Sequence, residues 1–183
     1  MKEKERTHVP YISFSDRLSA LPKTYRKFLL ATHKLTPIYG AGKAATIAVS
    51  LYVLHNVLYA GFAFVAGWLA DHFNKRALLA GGYALAAVTG VILVFAPMNL
   101  PVLALVFVLA GIFVATEEAL EDSLAAELVD KEHHGMGFGV LATVNGVGDF
   151  LSSLVVGALW TAFGTPVAFA YSTVLFITGA VLI

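Results

Sequence analysis

The sequence predicts an all-α membrane protein with about five transmembrane helices, and three observations lead to this fold class. Hydrophobic residues make up 58% of the chain and charged residues only 13%, about half the share of charge in soluble domains. The apolar residues form long continuous runs that short polar turns separate. These runs lack the apolar–polar alternation of a lipid-facing β-strand, and a helix satisfies its own backbone hydrogen bonds in lipid.

Five runs approach or exceed the roughly 20 apolar residues that a helix needs to cross a bilayer. The predicted spans are 44–70, 77–96, 101–129, 136–160 and 167–183. Together they form a predicted transmembrane bundle over residues 44–183, in contact with the lipid bilayer. Residues 1–27 are polar and basic, and we predict that they form a cytoplasmic linker or tail. Residues 28–43 begin with a brief apolar run but are then too polar to cross a bilayer alone.

Composition also limits the class of function. The formal net charge is zero, which gives no reason to expect a nucleic-acid partner. The chain contains no cysteine, which excludes disulfides, thiol catalysis and thiolate metal sites. No nucleophile stands at a recognisable spacing from a base, so we expect no enzyme, no cofactor and no metal. An alternative metal site would use Glu121, His133 and His134, which follow no known ligand spacing.

Basic residues set the expected orientation of the spans. Of twelve lysines and arginines, nine precede Ala44, two are Lys75 and Arg76, and one is Lys131. Because basic loops stay in the cytoplasm, we expect residues 71–76 and 130–134 to lie inside, and the two uncharged loops outside. The basic residues before Ala44 also favour the inside, so one crossing is missing before the first span. We hypothesise that most of one helix is lost near residues 31–32; alternatively, the basic tail is translocated.

Two polar residues interrupt the fourth span near its middle. Asp149 is an ionisable group inside a membrane segment, and such groups mark a polar cavity, a proton site or a buried partner. Asn145 lies four residues earlier and therefore on the same face of the helix. The neighbouring Gly146 and Gly148 permit close helix packing. The pair predicts either substrate or proton coupling, or a hydrogen bond between helices.

The first span carries His55 and Asn56 near its middle. A single histidine in an apolar helix is typical of a packing residue with its hydrogen bonds satisfied. It can also titrate near neutral pH, so His55 remains a candidate for proton coupling, with Asp149 as a conceivable partner.

An acidic cluster lies in the second half of the third span. Glu117 and Glu121 are spaced i,i+4, as are Glu118 and Asp122. The cluster predicts either a solvated helix end or carboxylates that act on a cation or a proton.

The turn after the first span carries a family motif. Residues 67–79 read GWLADHFNKRALL. This segment resembles the loop signature of the major facilitator superfamily, G-x-L-x-D-R-x-G-R-[RK], and Gly67, Leu69, Asp71, Lys75 and Arg76 match it. Histidine replaces the arginine after the signature aspartate, and asparagine replaces its second glycine.

Two further segments resemble the same family. Residues 126–139, AELVDKEHHGMGFG, are similar to the segment before its eleventh helix, with His134 in place of an arginine. Residues 157–170, GALWTAFGTPVAFA, are similar to the stretch that follows. The resemblance implies that residues 44–183 correspond to helices eight to twelve of a twelve-helix fold, and 28–43 to a truncated remnant of helix seven.

The resemblance also implies a function. Family members are multi-pass proteins of the cell's inner or plasma membrane that move a small solute across it, in some cases with protons. Gly67, Asp71, Lys75 and Arg76 would form the latch that steadies one conformation by contact with the other half of the transporter. The partners implied are the missing N-terminal half or a second copy, and we expect no transport by this chain alone. The alternatives are a non-transporting membrane scaffold or a non-functional gene fragment.

Overall fold

A computed structural model describes residues 31–32, 35–97 and 99–183, and five long helices account for most of them. They are α1 (Ala41–His72), α2 (Lys75–Phe95), α3 (Leu100–Leu128), α4 (His134–Phe163) and α5 (Thr165–Leu182), with a 3-10 turn at Lys131–His133 before α4. Each is long and apolar enough to cross a membrane. The prediction of an all-α protein with about five spans is confirmed.

The helix ends lie within a few residues of the predicted bounds. The first helix begins at Ala41, so the last three residues of the segment 28–43 belong to α1. A short helical segment, 35–39, precedes it. The predicted tail at 1–27 lies outside the described residues.

Turn residues explain where the helices begin and end. The side chain of Asn74 accepts hydrogen bonds from the backbone N–H groups of Arg76 (3.0 Å) and Ala77 (3.2 Å), which caps α2. Asn99 caps α3 in the same way through the N–H of Val102 (3.0 Å). Gly164 ends α4 with φ at +86°, a conformation that favours glycine.

The third helix is the centre of the bundle. It packs against α1 on one side and against α2 on another. Helix α2 packs in turn against α5, and α4 lies mainly against α5 and touches α3 over a small area. Two buried clusters fix these contacts: Ala31, Leu35, Ala44, Ala48, Leu51, Leu103 and Phe107 in one, and Ala70, Leu79 and Leu120 in the other.

Glycines mark the closest approaches between helices. A Cβ atom added to Gly90 of α2 would lie 2.2 Å from the Thr173 Oγ1 of α5. A Cβ atom added to Gly111 of α3 would lie 2.7 Å from the backbone oxygen of His55 in α1. Small residues let helix backbones approach in this way when the solvent is lipid.

The glycines singled out from the sequence do not occupy such contacts. A Cβ atom at Gly67, Gly146 or Gly148 meets nothing within 4 Å in the described part of the chain.

Helix α4 is the least buried of the five long helices that the structure describes. None of its residues is buried within the described part of the chain, and Phe150 is 67% exposed. This face is apolar, so it is suited to contact lipid or another transmembrane helix.

Candidate functional site

A groove lies between α3 and α4, and acidic side chains line its α3 wall. Its volume is about 580 Å³, within the usual range for small-molecule sites. The lining residues are Glu118, Glu121 and Asp122 from α3, and Phe138, Leu141, Ala142 and Asn145 from α4. The three carboxylates share one wall because residues three and four apart face the same side of a helix. We call this feature the acidic groove.

One hydrogen bond crosses the acidic groove. The Asn145 Nδ2 donates to the Glu121 Oε2 over 2.9 Å, and it joins α4 to α3 where the two helices otherwise touch little. The predicted role of Asn145 included a hydrogen bond between helices, and the structure supplies Glu121 as its partner.

Two tyrosines from other helices also reach the groove carboxylates. The Tyr59 hydroxyl of α1 donates to Glu118 Oε2 over 2.5 Å. The Tyr83 hydroxyl of α2 lies 3.5 Å from Glu121 Oε1 and also faces Glu117. Helix α3 thus presents carboxylates that hydrogen-bond to three neighbouring helices.

The lining residues bring together several negative charges. Three carboxylates line the groove, and its lining includes no basic side chain. The groove thus concentrates carboxylates between two helices that are able to span a membrane.

The other intramembrane acid that we predicted, Asp149, lies one turn beyond Asn145 on α4, on an exposed part of that helix. Its backbone oxygen accepts a hydrogen bond from the Ser152 hydroxyl over 3.1 Å. Asp149 is not among the residues that line the acidic groove.

His55 and Asn56 lie away from the groove lining. His55 is only 9% exposed, and its Nδ1 is 3.2 Å from the backbone oxygen of Phe107 in α3. Its ring also contacts those of Tyr52 and Phe107. Asn56 is exposed and donates to the backbone oxygen of Tyr52 in its own helix over 2.7 Å. The structure thus places His55 in the α1–α3 contact.

The signature turn joins the end of α1 to the start of α2. Lys75 forms an ion pair with Glu127 at the end of α3. Because the Glu127 side chain is 59% exposed, we expect this pair to contribute less than about 1 kcal/mol. Asp71 and Arg76 are exposed, and within the described ranges Asp71 has no ion-pair partner.

The histidines before α4 do not assemble a metal site with the groove. His134 Nε2 lies 2.9 Å from the backbone oxygen of Val129, and His133 is exposed. Among the residues that the structure describes, no three histidine, aspartate or glutamate side chains are grouped to hold a metal ion.

Comparison with known proteins identifies the family. The model of the Major Facilitator Superfamily matches residues 28–183, which include the signature turn and both walls of the groove. The chain belongs to the major facilitator superfamily. It is 26% identical over 160 residues to an uncharacterized MFS-type transporter of Methanocaldococcus jannaschii. The match covers 87% of this chain and 40% of that relative, so the chain spans less than half of the relative's length.

The chain belongs to a transporter family, and it has five helices that are able to span a membrane. It is therefore a multi-pass membrane protein. The resemblance that three sequence motifs predicted is therefore confirmed. Tyr59 and Tyr83 were absent from the sequence-based candidates, and Glu121 was considered as a member of the acidic cluster and as a ligand of the alternative metal site. Tyrosines near the middle of apolar helices are a weak signal, because many of them only pack.

Proposed function

We propose that this chain takes part in the transmembrane movement of a small solute, as part of a secondary transporter of the major facilitator superfamily. The movement is coupled to protons through the acidic groove. The hydrogen bond between Glu121 and Asn145 is the observation that carries this proposal, because it places an ionisable group in a contact between two membrane-spanning helices.

Proton uptake by Glu121 changes the strength of this helix contact. Hydrogen bonds to an ionised group are roughly twice as strong as those between neutral groups. A neutral Glu121 therefore holds Asn145, and with it α4, less firmly than the carboxylate does. Coupling follows if the solute enters between α3 and α4 when this contact is weakened. Glu118, Glu117 and Asp149 are further coupling candidates on the same two helices.

The signature turn acts as the conformational latch in this proposal. Gly67, Asp71, Lys75 and Arg76 match the family motif, and the exposed carboxylate of Asp71 is available to a partner. Lys75 also forms an ion pair with Glu127, and this pair links the start of α2 to the end of α3.

The partner that completes the transporter is a second helical bundle. We propose the N-terminal half of a family transporter, with a second copy of this chain as the alternative. The exposed apolar surface of α4 supports such a partner. The proposed location is the inner or plasma membrane of the cell, in line with the family.

Reconstitution in liposomes tests the proposed function. The chain is incorporated with an N-terminal half of a family transporter, and pyranine inside the liposomes reports proton entry on addition of sugars, amino acids or organic cations in turn. We expect one solute class to drive proton entry, Glu121→Gln to abolish it, and Glu132→Gln in the exposed turn to leave it unchanged.

Proton entry that no solute stimulates, or that survives Glu121→Gln at the parental rate, would contradict the proton-coupled role. Stable co-purification with an unrelated membrane protein, without solute movement, would favour the scaffold alternative.

A further inference from the structure

Two phenol groups, from two different helices, reach carboxylates that line the acidic groove. Tyr59 comes from α1 and bonds to Glu118, whereas Tyr83 comes from α2 and lies against Glu121. The two glutamates are three residues apart on α3, and Tyr83 also faces Glu117 of the same helix.

The ring of Tyr83 is held in place by aromatic neighbours. Its centroid lies 6.0 Å from that of Phe113 in α3 and 6.2 Å from that of Phe176 in α5. Gly179 of α5 adds to this contact, since a Cβ atom there would be 3.3 Å from the Tyr83 ring. Because these contacts hold the Tyr83 ring, they also fix the position of its hydroxyl oxygen.

The position of Tyr59 is fixed by the backbone contact between α1 and α3. Tyr59 lies one turn after His55, whose backbone oxygen is tightly packed against Gly111. This close approach sets the distance between the two helices just before the Tyr59–Glu118 bond.

The surroundings of the two glutamates include few other polar groups. On α3 itself, Glu117 faces Tyr83, and Asp122 on the groove wall interacts electrostatically with Tyr59. From α4, Asn145 faces Glu121. From α2, Lys75 is engaged with Glu127 about two turns before Tyr83, and α5 contributes Phe176 and Gly179, which are both apolar, to the contact with Tyr83.

We propose that Tyr59 and Tyr83 are positioning residues, each orienting one groove glutamate toward the space between α3 and α4. This inference rests on the proposed proton role of the groove. Tyr59 holds Glu118, whereas Tyr83 holds Glu121 and also faces Glu117, so removal of one hydroxyl releases the glutamate that it contacts and leaves the other held.

Site-resolved labelling with dicyclohexylcarbodiimide tests this assignment on the full chain in liposomes. A carboxylic acid gives its proton to a nitrogen of the carbodiimide, and the carboxylate oxygen then adds to the central carbon of the reagent. Mass spectrometry of the stable adduct gives the labelling rate of Glu118 and Glu121 separately at each pH. The variants are Tyr59→Phe and Tyr83→Phe, which keep the ring. The control is Tyr171→Phe in α5, because the Tyr171 hydroxyl makes no hydrogen bond within the described residues.

Loss of the phenol hydroxyl removes the hydrogen bond that holds the carboxyl group, so the carboxyl group becomes more accessible to the reagent. We expect Tyr59→Phe to raise the labelling rate of Glu118 about tenfold, with Glu121 unchanged. We expect Tyr83→Phe to raise the rate of Glu121 by a smaller factor, because its hydrogen bond is longer, with Glu118 unchanged.

Three results would overturn the inference. If both glutamates label in a pH-dependent way but neither phenylalanine variant alters its own glutamate, positioning fails and the proton role survives. If each variant changes both glutamates alike, or if Tyr171→Phe does so, the effect is a general disturbance of packing. If neither glutamate is labelled at any pH, the proposed proton role of the groove fails with it.

Discussion

At the scale of single residues, the amide of Asn145 joins two helices that pack poorly against each other. Helix α4 has no buried residue in the described part of the chain, so its position depends strongly on α5 and on the bond to Glu121. A polar contact between membrane helices typically contributes about 0.6 kcal/mol, and more when one partner is charged. The Asn145 amide thus adds little to the total stability, but it acts at one place, the contact between α3 and α4 that forms the groove.

Substitution of Asn145 by valine tests this contribution. The change removes the donor and leaves an apolar side chain on α4. We expect a loss of about 1 kcal/mol in the free energy of unfolding, measured by titration with a denaturing detergent.

The matched control is Asn56→Val on α1. Asn56 bonds only within its own helix, to Tyr52, so we expect its replacement to change stability by less than about 0.5 kcal/mol. Equal losses in the two variants would contradict a specific role for the Asn145–Glu121 contact.

The same residues show what the sequence can predict about a site. Asn145 could be predicted as a site residue, because a polar side chain in an apolar helix is costly and usually has a partner or a function. Its partner could not be predicted. Helical periodicity gives the face of its own helix on which a residue lies, but not the rotation of that helix against its neighbours. Tyr59 and Glu118, far apart in sequence, meet only after α1 and α3 are packed.

At the scale of the helices, close contacts depend on individual glycines. Gly90 lets α2 lie directly against Thr173 of α5, whereas Gly81 of the same helix faces open space. An added methyl group at the first position has no room unless the Thr173 side chain leaves its hydrogen bond to Phe169 or one helix shifts.

This difference predicts unequal effects of two alanine substitutions in α2. We expect Gly90→Ala to destabilise the protein by about 1–3 kcal/mol, as overpacking usually does. Gly81→Ala should change stability by no more than about 0.5 kcal/mol. Thermal unfolding followed by circular dichroism measures both, and equal melting temperatures would show that α2 and α5 pack less closely than described.

The bounds of the helices, by contrast, were largely predictable. The polar turn at Asn74 and the glycine at Gly164 end long apolar runs, and both signals are local in sequence. The packing glycines were not predictable, because every span contains glycine and the sequence does not show which of them faces a neighbour.

At the scale of the whole molecule, the alternating helices determine which turns share a side of the membrane. The turns before α2 and α4 are separated by two crossings and carry the basic residues Lys75, Arg76 and Lys131. The loops before α3 and α5 carry none. The positive-inside rule then predicts the first two turns in the cytoplasm.

Labelling of single cysteines tests this orientation directly, because the parent chain has none. A membrane-impermeant maleimide should label Pro97→Cys and Phe163→Cys in intact cells. Phe73→Cys and Glu132→Cys should react only after the cells are opened. The reverse pattern would contradict the predicted orientation, and a mixed pattern would contradict the number of crossings.

The central position of α3 has a consequence for synthesis of the protein. Helices α1 and α2 follow each other along the chain but touch only slightly, whereas both pack extensively against α3. Among the described helices, α1 and α2 therefore bury little surface against each other as they are made. Their contacts with α3 form only once α3 has been inserted, and the contact of α2 with α5 forms last.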